Sequence, residues 1–239
     1  MLSFSTLLAF AGDEVKLVAG SVKDLRDAEA TIEFVVDYSG TKVEEKSLNE
    51  YLRSRGADFV KDWPANSKDA REFFVVRYNK KNKKFAQISE SDAAKAKYKM
   101  VLHVKTMDTG NGGGMFIPMA SSKAGGVIVN GSVDVAEKAT GRPVCKFALK
   151  DAKGMSHVSE TKRIGLCYFE IASDMAKIIK KSEENLPISA KDINVGLGGK
   201  SSAKKGNAAS KKKAAKKNTG TARKGATVKR PVQRTNARN

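Results

Sequence analysis

Two histidines, two cysteines and four carboxylates on or beside strands are where this chain could carry acid–base, nucleophilic or metal chemistry. Nucleophilic catalysis needs a Ser or Cys within reach of a base that a third group orients. His103 stands on a strand between Lys99 and Lys105, a setting that reads as solvated or helix-facing. His157 falls in a loop with Ser156 and Ser159, and no serine has the surroundings of a nucleophile elbow. A histidine-based active site is therefore not expected. Cys145 and Cys167 are 167 − 145 = 22 positions apart without a histidine pair nearby, which is not a metal-ligand spacing. Glu33, Asp37, Asp108 and Asp134 could pair as the carboxylates of a glycosidase do, but charge on the polar faces of strands accounts for them. The run Gly-Asn-Gly-Gly-Gly at 110–114 lacks the Lys-Ser/Thr and the GxGxxG spacing of a phosphate loop, and a strand rather than a helix follows it. The expectation is a non-enzymatic protein with no metal and no cofactor.

Charge is more informative than catalysis. Residues 200–239 hold 14 of the chain's 45 lysines and arginines and no acid. The remainder has 45 − 14 = 31 basic against 26 acidic residues, about +5 of the formal +19. An unbroken basic run implies an anionic counterpart. The candidate anion-binding residues are Lys204, Lys205, Lys211, Lys212, Lys213, Lys216, Lys217, Arg223, Lys224, Lys229 and Arg230. Their clusters, separated by Ala, Gly, Ser and Thr, resemble histone-like tails and suit phosphate backbones, which need charge density rather than a fixed fold. No aromatic residue lies among them, so base stacking is not offered. In an exported protein the same charges would meet lipid phosphates or acidic polymers; in a cytoplasmic one, nucleic acid. A second candidate contact is the apolar group Met115, Phe116, Ile117 and Met119 inside the glycine-rich connection, which either folds onto the core or meets a partner.

The compartment turns on the N-terminus. Leu2 to Phe10 is a short apolar block, and Ala9, Phe10 and Ala11 have the small-x-small form that signal peptidase cleaves before Gly12. The basic residues that normally precede such a block are missing. The expected location is periplasmic or secreted, with a cytoplasmic protein that keeps its N-terminus as the alternative. No apolar run approaches the about 20 residues of a transmembrane helix. Cys145 alternates with Phe147 and Leu149, and Cys167 falls in register with Ile164, Ile171 and Met175. Two buried thiols are expected before a disulfide.

Alternation and capping signals supply the elements that would position these residues. Strands are expected at residues 14–19 and at 30–38, where Ile32, Phe34 and Val36 share a face. Ser47 and Glu50 form a capping box for a short helix ending at Gly56. Trp63 and Pro64 predict a turn before a second helix over about 67–80, followed by a basic loop at 79–84. Tyr98, Met100, Leu102, Val104 and Thr106 predict one face of a long strand. Val127, Val129, Val133 and Val135 predict the next, which a turn at Thr140 and Gly141 joins in a hairpin to residues 143–150. Residues 164–181 predict the longest helix. The pattern specifies an α+β fold: a mixed or mostly antiparallel sheet of about five strands with helices on one face. The expected organisation is a signal remnant at 1–11, a globular domain at 12–185, and a flexible linker with a disordered basic tail at 186–239.

The stretches VVDYSGTKVEEKSLNEYLRSRGADFVKDWP, FVVRYNKKNKK, AKYKMVLHVKTMDTG and GGVIVNGSVDVAEKATGRPVCKFALKD resemble a family of small exported proteins of Bacteroidetes-type bacteria with no established activity. The later half is similar, more loosely, to bacterial envelope lipoproteins of unknown function, with Asp108, Thr109 and Gly110 and then Ala139, Thr140 and Gly141 at the matching turns. The resemblance implies export and an α/β layer over about Val15 to Lys181. It transfers no catalytic residue, and the basic tail departs from its pattern.

Overall fold

The computed structural model describes residues 14–110 and 125–196. The N-terminal block, the apolar group Met115, Phe116, Ile117 and Met119, and all the candidate anion-binding residues from Lys204 to Arg230 lie outside the described residues.

Among the described residues eight strands, not five, build one mixed sheet. The five long ones are β1 (Val15–Gly20), β2 (Thr31–Asp37), β6 (Tyr98–Asp108), β7 (Ile128–Glu137) and β8 (Pro143–Lys153). The other three are β3 (Lys42–Val43), β4 (Lys46–Ser47) and β5 (Gln87–Ile88). Two residues cannot display a period of two, so these pieces leave no alternation to read. The order is β1-β8-β7-β6-β2-β5, with β3 paired to both β4 and β6. β6, β7, β8 and β1 form antiparallel neighbours, while β2 runs parallel to β6. A parallel pair needs a crossover, which α1 (Leu48–Arg55) and α2 (Ala57–Lys81) supply.

α1 opens with the expected reciprocal cap: the Glu50 N–H donates to Ser47 Oγ, and the Ser47 N–H donates to Glu50 Oε2. It ends at Gly56, whose φ of 114° belongs to glycine. The break expected at Trp63 and Pro64 is absent, because α2 runs straight through Pro64. Proline removes the bond to the carbonyl four residues back, that of Val60, and its ring crowds that carbonyl, but the turn is exposed and water can take the place of the lost donor. At 25 residues α2, not the 22-residue α3 (Glu160–Lys181), is the longest helix among the described residues, and it absorbs the start of the expected basic loop. Trp63 is half-buried and meets Tyr38 edge-on at 5.4 Å.

The core lies between α2, α3 and the inner face of the sheet. Phe34 stacks on Phe74 at 4.2 Å, and Met100, Leu102, Val133, Val135 and Phe147 are fully buried beside Tyr168, Ile171 and Met175. One strand face is misphased. A bulge between Val104 and Thr106 turns Thr106 outward and buries Met107 in its place. The chain also stays ordered past residue 185: Leu186 bridges Gly20, and residues 189–196 cross the outer face of the sheet as far as Gly196.

Candidate functional site

Register explains the composition of that outer face. Residues opposite each other in a sheet project to the same side. Asp37 is opposite His103, and Asp134 is opposite both Val101 and Lys146. The even positions of β6 are committed to the core, so Lys99, Val101 and His103 point away from the helices. Four neighbouring strands, β2, β6, β7 and β8, thereby bring a histidine, two carboxylates and a lysine together.

His103 Nδ1 lies 2.8 Å from Asp37 Oδ2, and Nε2 faces the Asn194 carbonyl, with Asp134 Oδ2 at 3.7 Å. Asp134 is 1 % exposed. Its Oδ2 accepts the Asn194 N–H at 2.7 Å, while Oδ1 has no hydrogen-bond donor and stands 3.5 Å from Lys146 Nζ. Burial pushes the Asp37 carboxyl up, but the Ser39 N–H and hydroxyl and the His103 ring outweigh it and hold Asp37 below the usual carboxylate range. The reading of Asp37 and Asp134 as plain surface charge is therefore corrected. Glu33, paired with Lys138 at 2.7 Å, and exposed Asp108 fit it. His103 is neither solvated nor helix-facing; residues 192–196 cover it, a contact some 90 positions away in sequence that local spacing could not reveal. Both ring nitrogens therefore face oxygen atoms, a carboxylate at one and a carbonyl at the other.

The second polar cluster lies at the foot of the glycine-rich connection. Buried Arg163 donates to the carbonyls of Thr109, His157, Val158 and Gly110. Nearby, the Tyr51 hydroxyl donates to Glu160 Oε1 at 2.9 Å, and Arg55 pairs with Glu160 at 3.1 Å. Glu44 and Glu45 make the β3–β4 turn at φ of 48° and 68°, and the Thr109 hydroxyl donates to Glu44. All these groups are turned on one another, so the cluster fastens the chain rather than presenting a reactive atom. His157 belongs to the same joint: its Nδ1 accepts the Ser159 N–H, and Ser159 caps α3.

Both cysteines are buried free thiols, as expected, and burial drives both far above the usual thiol range. Among the described residues no group of His, Cys, Asp and Glu could hold a metal ion. An open groove of about 1070 Å³ between β1 and the C-terminal half of α3 alternates Glu14, Lys16, Asp174 and Lys181 along its walls, so no single charge sign is favoured there.

No family model matches the sequence, and no curated protein does. Among solved structures the chain is similar to the PelC dodecamer from Paraburkholderia phytofirmans at 12% identity and a TM-score of 0.36, covering 67% of this chain and 96% of that one. A single-substitution form of that dodecamer gives 10% identity, a TM-score of 0.34, and coverage of 68% and 95%. No helix among the described residues is long and apolar enough to cross a membrane.

Proposed function

We propose that this protein is a non-enzymatic, exported interaction module that its polycationic C-terminal segment tethers to anionic material of the bacterial envelope, lipid phosphate or acidic polymer. The observation that carries this reading is the charge of residues 200–239, with 14 basic residues and no acid. The folded body supports it by contrast. Several of its cations are paired with its own acids: Arg26 with Glu183, Arg71 with Glu90, Lys97 with Asp27, Lys138 with Glu33, Arg142 with Asp24. Nothing in the sequence of the tail offers that internal neutralisation. The histone-like spacing of its lysines favours nucleic acid as the partner should the chain remain in the cytoplasm.

The test compares the full chain with one ending at Gly199 for binding to phosphatidylglycerol vesicles and to duplex DNA at two salt concentrations. If six to ten phosphates are contacted, DNA affinity of the full chain falls about 10³- to 10⁵-fold between roughly 50 and 200 mM salt. The shortened chain binds neither. Binding that survives the deletion, or that ignores salt, overturns the proposal. The intact mass by cell fraction separates the two partners: a chain beginning at Gly12 in the envelope points to lipid or polymer, one retaining Met1 in the cytoplasm to nucleic acid.

A further inference from the structure

Two lysines and a histidine reach three carbonyls spaced two residues apart. Lys146 Nζ donates to the Asp192 carbonyl, His103 Nε2 to that of Asn194, and Lys99 Nζ to that of Gly196. Between them the Asn194 N–H donates to Asp134, and Val195 packs with Val101 and Ala136 in a small cluster apart from the main core. Residues 192–196 thus form a strap laid across β6, β7 and β8, ending four positions before Lys200, where the basic tail begins.

Of the three donors, only a histidine changes charge near neutral pH in ordinary surroundings. A carbonyl only accepts, and an ionised carboxylate only accepts. His103 can therefore satisfy Asn194 and Asp37 together only with both nitrogens protonated. A neutral ring protonated at Nε2 turns a lone pair on Asp37. One protonated at Nδ1 turns it on the Asn194 carbonyl. Either way one contact becomes repulsive.

We propose that residues 192–196 are a pH-dependent latch, docked on the sheet while His103 carries its second proton and released when it loses it. The groups around the ring bear this out in sign. Asp37 of β2 and Asp134 of β7 both favour the cation. Lys146 of β8 opposes it, as a like charge and by partly neutralising Asp134. Lys99 shares the face but bonds Gly196, and Lys105 is exposed beyond the bulge. The strap's own acid, Asp192, is turned onto the Ser189 N–H and hydroxyl. Docking and protonation must reinforce each other reciprocally. The latch goes beyond the polyanion reading and stands whether or not the tail binds polyanions.

The experiment is amide hydrogen exchange on the full chain, corrected for intrinsic chemical rates, at about pH 5.5 and about pH 8, on either side of the ordinary histidine value. The amides of residues 194–196 should be at least about tenfold better protected at the lower pH, the effect of losing one charge-assisted hydrogen bond. The amides of Val133 and Val135 serve as the unchanging reference. His103→Gln, a single neutral donor, should abolish the difference. Asp37→Asn should abolish it in the opposite way, because an amide at position 37 can donate to Nδ1 of a neutral ring, leaving the strap docked at both pH values. Equal protection at both pH values in the native chain overturns the latch. So does a pH step that persists in His103→Gln. Should that variant fail to fold, an Asp37→Asn chain that keeps the step, or opens at both pH values, overturns it equally.

Discussion

Arg163 Nε donates to the carbonyl of Thr109 at 3.0 Å, tying the first turn of α3 to the end of β6. The same guanidinium reaches the carbonyls of His157, Val158 and Gly110, so one buried cation closes both chain segments that meet at the foot of the glycine-rich connection. Lysine keeps the charge but not the planar fork of donors. Arg163→Lys is expected to destabilise the fold by about 2–4 kcal/mol, the cost of stranding buried carbonyls. A urea midpoint that falls with unchanged slope would show it; a change under about 0.5 kcal/mol, the scale of an ordinary surface substitution, would refute this role.

Gly131 is where two strands come too close for a side chain. A Cβ there would stand 1.9 Å from the His103 carbonyl oxygen, beside the bulge that skips Lys105. A backbone atom cannot swing aside as a flexible side chain does. Gly131→Ala should therefore cost about 1–3 kcal/mol or more and disturb the outer face that carries His103. Thermal unfolding measures the first effect, and exchange at Asn194 the second. A chain as stable as the native one would mean that β6 and β7 can slip apart without penalty.

What was legible in the sequence follows from the range of each signal. Alternation is local, so the long strands, the β7–β8 hairpin, the Ser47 cap and the burial of both cysteines could be read directly. Alternation alone puts Thr106 on the wrong face because a bulge shifts phase without changing composition. Pro64 misled because its penalty depends on whether the freed carbonyl is exposed, a property of the folded helix. The strand period sets His103 on a face with Lys99, but its surroundings arise from β2, β7 and a strap far along the chain. Isolated Asp37 and Asp134 look like any polar strand residue until register sets them side by side.

Cys145 and Cys167 are inert for the same physical reason that they are buried. A thiolate is the reactive form, and desolvation makes it costly in both places. Cys167 moreover donates its S–H to the Ala152 carbonyl at 3.2 Å. The native protein should resist a thiol-specific reagent and take up two equivalents per chain once unfolded, without prior reduction. Rapid labelling of the native chain, or a requirement for a reductant, would contradict the packing of β8 against α3.

Alkaline pH should expose a different weakness. Burial pushes Tyr38 up to about 12, against a smaller lowering by its hydrogen bond to Tyr168, whose hydroxyl is 2.9 Å away. Burial likewise raises Tyr51 to about 12, reinforced by the Glu160 carboxylate and offset by Thr109. A phenol whose folded value exceeds its unfolded one holds its proton more tightly when folded. Its contribution is therefore complete below the unfolded value of about 10 and is lost as pH rises from there through 12. Each such tyrosine adds at most about 1.4 kcal/mol per pH unit to the slope. Denaturant midpoints between about pH 9 and 11.5 should show stability flat and then falling, with the fall shallower in Tyr38→Phe. The phenylalanine variant should also be less stable at neutral pH by about 1 kcal/mol, because the buried Tyr168 hydroxyl loses its partner. If the native and variant curves run parallel into alkali, the Tyr38 hydroxyl is not desolvated between β2 and α3.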